Sequence, residues 1–244
     1  MGDRRGEGNS LGSLGNAYYF LGEYQTAIDY HQQSLTISRE IGDRRGEGNS
    51  LGSLGNAYQS LGEYKTAIDY YQQSLTISRE IGDRKGEGNS LGNLGNAYNS
   101  LGEYKTAIDY LQQSLTISRE IGDRQGEGNS LGNLGNAYNS LGEYKTAIDY
   151  YQQSLTIAED IGAIYSVANA YYNLGNTYGK LNRNQEAIQS YHYARELFQR
   201  MGLDSNIQNC DNQIKTLSSP QILSIWRRIK RILQRFLQWL RSLF

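Results

Sequence analysis

The chain is dominated by a repeat of forty residues that occurs four times, nearly unchanged, between residues 2 and 161. One copy, from residue 82 to residue 121, reads GDRKGEGNSLGNLGNAYNSLGEYKTAIDYLQQSLTISREI. A diverged fifth copy follows. Tandem units of this length bury their apolar faces against their neighbours, so the repeat predicts an elongated array rather than a domain with one central core. The predicted repeats span 2–41, 42–81, 82–121, 122–161 and 162–201.

Each repeat contains two helical patterns, illustrated by the second copy. The first lies between Asp43, a suitable N-cap, and Gly62, which suits a left-handed C-terminal position. Its apolar positions are Leu51, Leu54, Gly55, Tyr58 and Leu61. The second pattern runs from near Tyr64 to Ile81, and its predicted buried face contains Ala67, Ile68, Tyr71, Ser74, Leu75 and Ser78. Short connections make the two helices, here called A and B, antiparallel.

The motifs LGNAY, LGEY and TAIDY resemble the tetratricopeptide repeat. Leu54, Gly55 and Tyr58 match its helix A positions and Ala67 its helix B alanine, whereas Ser74 stands where a second alanine is usual. Leu51 replaces the usual aromatic residue, and the helix-ending proline is missing. The forty-residue period and the GDR-GEG junction resemble the longer variant of kinesin light chains and LGN/Pins scaffolds. The resemblance implies an all-α, right-handed solenoid of five helix-turn-helix repeats.

Helix A also carries a second periodic face of uncharged polar residues. The resemblance implies that helix A lines a concave groove and that its asparagines bind the backbone of an extended peptide. Because an amide side chain offers both a donor and an acceptor, it suits a peptide unit whatever the ligand's side chains are. The alternative is a solvated helix face copied by duplication. The candidate peptide-binding residues are Asn16, Asn56, Asn96, Asn136, Asn176, Asn93, Asn133, Asn173, Asn49, Asn89 and Asn129.

Basic residues recur at the start of helix A. Arg44, Arg84 and Arg124 are candidate contacts for acidic side chains of a bound peptide. The alternative is local pairing with carboxylates such as Asp43 or Glu47. A cation near a helix N-terminus is mildly unfavourable unless an anion meets it, so either interpretation requires a nearby carboxylate.

The two ends of the array are predicted to differ. A short capping helix is expected within 202–219, with Ser205 as its N-cap and Cys210 on its apolar face. The first repeat has no comparable cap. Its helix A is therefore expected to fray, to be covered by another molecule, or to continue a longer array.

The C-terminal segment 220–244 is a basic amphipathic helical pattern. Residues 221–244 contain six basic and no acidic residues, leaving 18 basic against 25 acidic residues, a net charge of −7, in the rest of the chain. Such a helix suits the surface of an anionic membrane. Packing on the solenoid, self-association and occupation of the groove are the alternatives. The residues proposed to contact a membrane or partner helix are Trp226, Arg227, Arg228, Lys230, Arg231, Arg235, Phe236, Trp239 and Arg241.

Composition argues against an enzyme or a cofactor-dependent protein. Cys210, His31 and His192 are too few and too scattered to predict a disulfide framework, a metal site or a nucleophile with its base. Nucleic acid is not expected as a ligand because the body is acidic. We therefore expect a non-catalytic, cytoplasmic adaptor without cofactors. Its partner is expected to be a protein or peptide, with peripheral attachment to the inner membrane face through the tail. The alternative is a self-associating structural solenoid in which the tail is a packing or autoinhibitory element.

Overall fold

The computed structural model of the protein describes residues 3–218, and within them all regular secondary structure is α-helical. The helices alternate between A and B along the chain and divide into two compact units, α1 to α8 and α9 to α11. The A helices are α1 Arg4–Phe20, α3 Arg44–Ser60, α5 Arg84–Ser100, α7 Arg124–Leu141 and α9 Ile164–Lys180. The B helices are α2 Tyr24–Glu40, α4 Tyr64–Glu80, α6 Tyr104–Glu120, α8 Tyr144–Asp160 and α10 Asn184–Arg200, and α11 covers Asp204–Leu217.

The predicted helix ends in the repeats are confirmed by local geometry. The Asp43 carboxylate accepts a hydrogen bond from the Gly46 backbone N–H at 3.0 Å, which satisfies one free donor at the start of α3. Gly62 follows the same helix with φ of +79°, a conformation that favours glycine. One apolar position was wrong. Leu61 is 42% exposed because it is the C-cap residue, in the turn rather than on the helix face.

In the first unit, the helices A from α3 onward pack between the helix B of their own repeat and the helix B of the preceding one, whereas α1 packs on α2 and α3. The interface of α2 and α3 combines Ile28 and Leu35 with Leu51, Leu54 and Ala57. Homologous apolar clusters join α4 to α5 and α6 to α7. The predicted buried face of helix B is confirmed, because all six of its residues in α4 are buried.

Glycine and serine allow helices A and B of one repeat to approach closely. A Cβ on Gly55 would lie 2.4 Å from the ring of Tyr71, so any larger residue would displace that ring. Ser74 donates a hydrogen bond from Oγ to the Gly48 carbonyl oxygen at 3.0 Å, and the other three repeats of the unit make the same bond. Serine in place of the usual alanine therefore ties the two helices together.

Stacked tyrosine rings form a second connection between helices A and B. Tyr58 of α3 and Tyr70 of α4 have ring centroids 5.3 Å apart and planes inclined by 10°. Offset or parallel contacts of this kind add to the energy of area burial. The other stacked pairs are Tyr18 with Tyr30, Tyr98 with Tyr110, and Tyr138 with Tyr150.

The second unit packs α10 against both α9 and α11. Its apolar cluster includes Phe198 of α10 and Cys210 of α11, which is fully buried as the sequence pattern predicts. Burial raises the pKa of the Cys210 thiol to about 11, so the thiol is protonated and unreactive at neutral pH. The predicted cap at Ser205 was wrong by two residues. Helix α11 begins at Asp204 and has no side-chain cap, because its N-cap residue is Leu203.

Candidate functional site

Three A helices of the first unit, α1, α3 and α5, line a groove. One cavity of about 370 Å³ in this groove takes its walls from α1, α3, α4 and α5. It brings together five of the eleven predicted asparagines: Asn16, Asn49, Asn56, Asn89 and Asn93. A neighbouring cavity of about 280 Å³ shares Asn16, Asn49 and Ser53 with the first and adds Asn9. The groove is therefore continuous over the first three repeats and is lined mainly by uncharged polar side chains.

The other predicted asparagines occupy equivalent positions on further A helices. Asn96 belongs to α5, and Asn129, Asn133 and Asn136 belong to α7 of the same unit. Asn173 and Asn176 lie on α9, which belongs to the second unit. Their participation in peptide binding stays a prediction.

Tyrosines of helix B orient several of these asparagines, an arrangement that the sequence analysis did not identify. Tyr71 donates its hydroxyl proton to Asn56 Oδ1 at 2.8 Å. The same bond joins Tyr151 to Asn136 at 2.8 Å and Tyr191 to Asn176 at 2.7 Å. The recurring separation of fifteen residues between asparagine and tyrosine is the sequence signal that could have revealed the pair.

The Asn56 amide is held from a second direction as well. Asn93 of the next repeat donates from Nδ2 to Asn56 Oδ1 at 3.4 Å, a long hydrogen bond that adds to the one from Tyr71. Because two donors converge on the oxygen, Nδ2 is the part of this amide that remains available to a ligand in the groove. Burial raises the pKa of Tyr71, so its hydroxyl remains a donor at every physiological pH.

Two repeats lack the orienting tyrosine. Leu111 takes its place in the third repeat and His31 in the first. In the third repeat, the side-chain oxygen of Asn99 is buried and accepts no hydrogen bond from the described residues. In the second repeat the equivalent residue, Gln59, lies 3.2 Å from the Tyr71 hydroxyl. Because Leu111 has no hydroxyl group, the oxygen of Asn99 lacks the donor that Tyr71 places near Gln59.

The junction arginines make ion pairs within the repeats. Arg44 bonds Glu47 at 2.5 Å and also Glu80, the last residue of helix B. Arg39 bonds the same Glu47 carboxylate at 2.9 Å. Burial raises the pKa of Glu47, but the hydrogen bonds from Arg39 and Arg44 outweigh it, so the pKa is lowered overall. Arg84 and Arg124 make the equivalent pairs, with Glu87 and Glu120 and with Glu127 and Asp160. A ligand carboxylate would have to compete with these partners.

The neighbouring basic position faces the groove. Arg45 lines the larger cavity, as does Asp83 at the start of the next helix A. Arg45 forms no ion pair with any residue in the described part of the chain, whereas its counterparts Arg5 and Lys85 lie 3.6 and 3.8 Å from an aspartate. Arg45 is therefore the basic side chain best placed to meet an acidic group in the groove.

Other potential sites add little to this picture. Residues 3–218 contain no group of three or more His, Cys, Asp or Glu side chains able to hold a metal ion. Over the same residues, none of the helices is both long enough and apolar enough to cross a membrane. The nine tail residues proposed to contact a membrane or partner helix lie outside the described residues.

The sequence profile of the tetratricopeptide repeat matches residues 6–80 and 86–160, and a second profile of the same repeat matches residues 168–192. The chain belongs to the tetratricopeptide repeat family. Together the matches cover most of the chain and include the helix A asparagines of the first four repeats. Among curated proteins, none matches the sequence of this tetratricopeptide protein.

Solved structures share the fold at low sequence identity. Aspartyl phosphate phosphatase F from Bacillus subtilis aligns with a TM-score of 0.79 and 18% identity, over 97% of this chain and 60% of its own. The nearly identical repeats of a putative kinesin light chain from Podosopora anserina align with a TM-score of 0.64 and 20% identity, over 82% of this chain and 99% of theirs. The predicted resemblance to kinesin light chains is thus confirmed for the fold.

A third similar structure contains a peptide. The Rap conjugation gene regulator of the plasmid pLS20, in complex with the Phr* peptide, aligns with a TM-score of 0.74 and 16% identity, over 91% of this chain and 61% of its own. The tetratricopeptide protein therefore spans about three fifths of the length of this regulator and of the phosphatase.

Proposed function

We propose that this tetratricopeptide protein is a non-catalytic adaptor that binds an extended polypeptide segment in the groove of its first unit. The observation that carries the proposal is the cavity in which five asparagines from three successive A helices converge. Extended peptides present backbone groups at regular intervals, and a row of amide side chains can hydrogen-bond them independently of sequence.

The orientation of the Asn56 side-chain amide determines which backbone group of a ligand it can bind. Its oxygen accepts from Tyr71 and Asn93, so its amide nitrogen serves as a donor. The partner group of the ligand is then a carbonyl oxygen. Gly48 and Gly52 also line the cavity, but a Cβ on them would lie 3.2 Å from Ile77 and 3.5 Å from Ser74, so these glycines serve the packing of α3 on α4.

A basic side chain in the groove, Arg45, suits a ligand with an acidic residue. Arg44, Arg84 and Arg124 were the candidates from the sequence, but each is engaged by two carboxylates. We assign the contact to Arg45 because it lines the cavity and has no ion pair among residues 3–218. The peptide-bound regulator of similar fold supports a peptide as the class of ligand.

The test begins by selecting ligands from a random twelve-residue peptide library displayed on phage, with the full chain immobilised. The dissociation constant of a selected peptide is then measured by fluorescence anisotropy for the wild type and for Asn56→Ala with Asn89→Ala. We expect a loss of at least about tenfold, because each hydrogen bond left unmade costs on the order of 1 kcal/mol. Asn209→Ala, on the exposed side of α11, is the matched control. Equal losses of affinity in the double variant and in the Asn209→Ala control would refute groove binding. A library that yields no groove-dependent peptide would refute it as well.

Arg45 gives a separate readout with the same peptide. Arg45→Gln should weaken a peptide that contains an acidic residue and reduce the dependence of its affinity on salt. Arg44→Gln should affect affinity mainly through the stability of the protein. If Arg44→Gln, and not Arg45→Gln, changes the salt dependence, the contact belongs to the residue first suggested by the sequence.

For the C-terminal tail we propose attachment to anionic membranes, which would make the adaptor cytoplasmic and peripheral. The support is its sequence, with six basic side chains, no acidic ones and apolar residues that recur at helical spacing. The full chain should sediment with vesicles containing phosphatidylserine but not with neutral vesicles, and less so at high salt. Phe236→Asp should abolish sedimentation. Retention by neutral vesicles, or an unchanged Phe236→Asp variant, would instead favour the tail as a packing or autoinhibitory element.

A further inference from the structure

The outer face of α1 differs in exposure from the same face of α3, although the two helices have the same residues there. Residues 4–18 and 44–58 are identical. Leu14 is nevertheless 45% exposed, whereas its counterpart Leu54 is fully buried. The side chain of Glu7 is 53% exposed, whereas that of Glu47 is 10% exposed. The difference therefore comes from what covers the helix and not from its residues.

In α3, α5 and α7 the equivalent face is covered by the helix B of the preceding repeat, through three kinds of contact. The first contact is apolar, and in the α2 and α3 pair it joins Ile28 and Leu35 to Leu54 and its neighbours. The second is a hydrogen bond between buried serines, Ser34 with Ser50 at 3.1 Å. The third is the ion pair of a helix B arginine with the buried glutamate, as described for Glu47. All three contacts recur between α4 and α5 and between α6 and α7.

On α1 each of these groups lacks its partner from a preceding helix B. Leu14 is exposed. Ser10 donates to the Gly6 carbonyl oxygen of its own helix instead of meeting a serine across an interface. Glu7 pairs only with Arg4 among the described residues. The apolar, polar and charged groups of one such interface therefore lie together on α1 without a partner helix among the described residues.

We infer that the outer face of α1 is a docking surface for one helix of defined pattern in a partner polypeptide. The partner helix carries an apolar residue, then serine and leucine six and seven positions later, and arginine eleven positions later, as at Ile28, Ser34, Leu35 and Arg39. Such a helix is the B helix of a repeat of this same type. The inference is independent of the proposed groove, which uses the asparagine face of α1.

The experiment uses a labelled peptide with the sequence of residues 63–82, which includes α4, as a probe for the full chain. Its helix is stabilised by joining Gln72→Glu to Thr76→Lys through an amide bond, because both positions are exposed in α4. Fluorescence anisotropy measures binding to the wild type, to Leu14→Asp and to Glu7→Arg. The matched control is Leu61→Asp, on an exposed leucine of the second repeat. Circular dichroism checks that each variant is folded.

We expect saturable binding that Leu14→Asp weakens by about tenfold or more, since a leucine would be buried in the complex. Glu7→Arg should also weaken binding, and a peptide carrying Arg79→Glu should recover affinity for that variant but not for the wild type. The Leu61→Asp control should bind normally. Absence of saturable binding, or binding that is insensitive to Leu14→Asp and Glu7→Arg, would overturn the inference. A concentration-dependent dimer abolished by Leu14→Asp would also overturn it, in favour of a second copy as the occupant.

Discussion

At the scale of single residues, the tyrosine and asparagine of one repeat work as a pair. Tyr71 fills the space left by Gly55 and delivers its hydroxyl to Asn56 in the groove. The same side chain therefore packs the core and orients the proposed binding residue. Where leucine replaces tyrosine, packing is kept, since Leu111 is fully buried, but the donor is lost.

Restoring that donor should stabilise the third repeat. Leu111→Tyr is expected to raise the free energy of unfolding by about 0.5–1.5 kcal/mol, because its hydroxyl can reach the buried oxygen of Asn99 or the Asn96 amide. The second repeat accommodates tyrosine at this position with the same glycine beside it. Urea denaturation of the full chain measures the change, and Tyr71→Phe is the reverse control, expected to be destabilising. A lower midpoint for Leu111→Tyr would show that the leucine site has no room for the ring.

The first repeat should make stability depend on pH near neutrality. Burial lowers the pKa of His31, which is only 2% exposed. The unfolded chain binds a proton at this residue near about pH 6.5 while the folded chain resists it, so stability falls as the pH drops below that value. Denaturation midpoints at pH 7.5 and 5.5 should therefore differ less for His31→Tyr than for the wild type. An identical difference in both proteins would rule out His31 as the source.

At the scale of helices, the sequence predicts boundaries better than it predicts polar contacts. The spacing of apolar residues and the flanking Asp43 and Gly62 mark the ends of α3 because these are local signals. The pairing of Arg44 with Glu80 joins residues thirty-six positions apart, so it depends on how helix B returns along helix A. The groove position of Arg45 rather than Arg44 depends in the same way on the rotation of the helix, which a repeated pattern does not fix.

The three junctions within the first unit each contain a glutamate held by two arginines, and this site should be sensitive to loss of charge. Glu87, with its side chain 11% exposed, bonds Arg79 at 2.9 Å and Arg84 at 2.5 Å. Glu87→Gln is expected to lower the free energy of unfolding by about 1–3 kcal/mol. We expect a loss below the upper end of this range, because both arginines are about half exposed and solvent screens their charges. Thermal or urea denaturation measures the change.

The first repeat provides a matched control for this junction. Glu7 occupies the same position in the repeat but is exposed and pairs only with Arg4 within residues 3–218. Glu7→Gln should change stability by less than about 0.5 kcal/mol. The arginines lower the pKa of Glu87 despite its burial, so its contribution is present above the unfolded value of about 4.3 and is lost as the pH falls below it. Equal effects of the two substitutions would mean that the second arginine adds nothing.

At the scale of the whole molecule, near-identical repeats separate the effect of sequence from the effect of position. In a linear array each repeat is stabilised by its own contacts and by those with its neighbours, so a repeat with one neighbour is less stable than a repeat with two. Within the described residues, the first repeat of this unit has a neighbour on one side only. Leu14 is exposed because no described repeat covers the other side.

Hydrogen exchange should therefore proceed faster in α1 than in α3 of the free protein. The two helices have the same sequence over residues 4–18 and 44–58, so their intrinsic exchange rates match there and any difference reports local stability. Mass spectrometry can separate them, because peptides ending at Phe20 and at Ser60 differ in their last two residues. Adding the α4-derived helix at saturating concentration should slow exchange in α1 and leave α3 unchanged. Equal protection of α1 and α3 in the free protein would mean that the array unfolds as one cooperative unit, or that another molecule already covers α1.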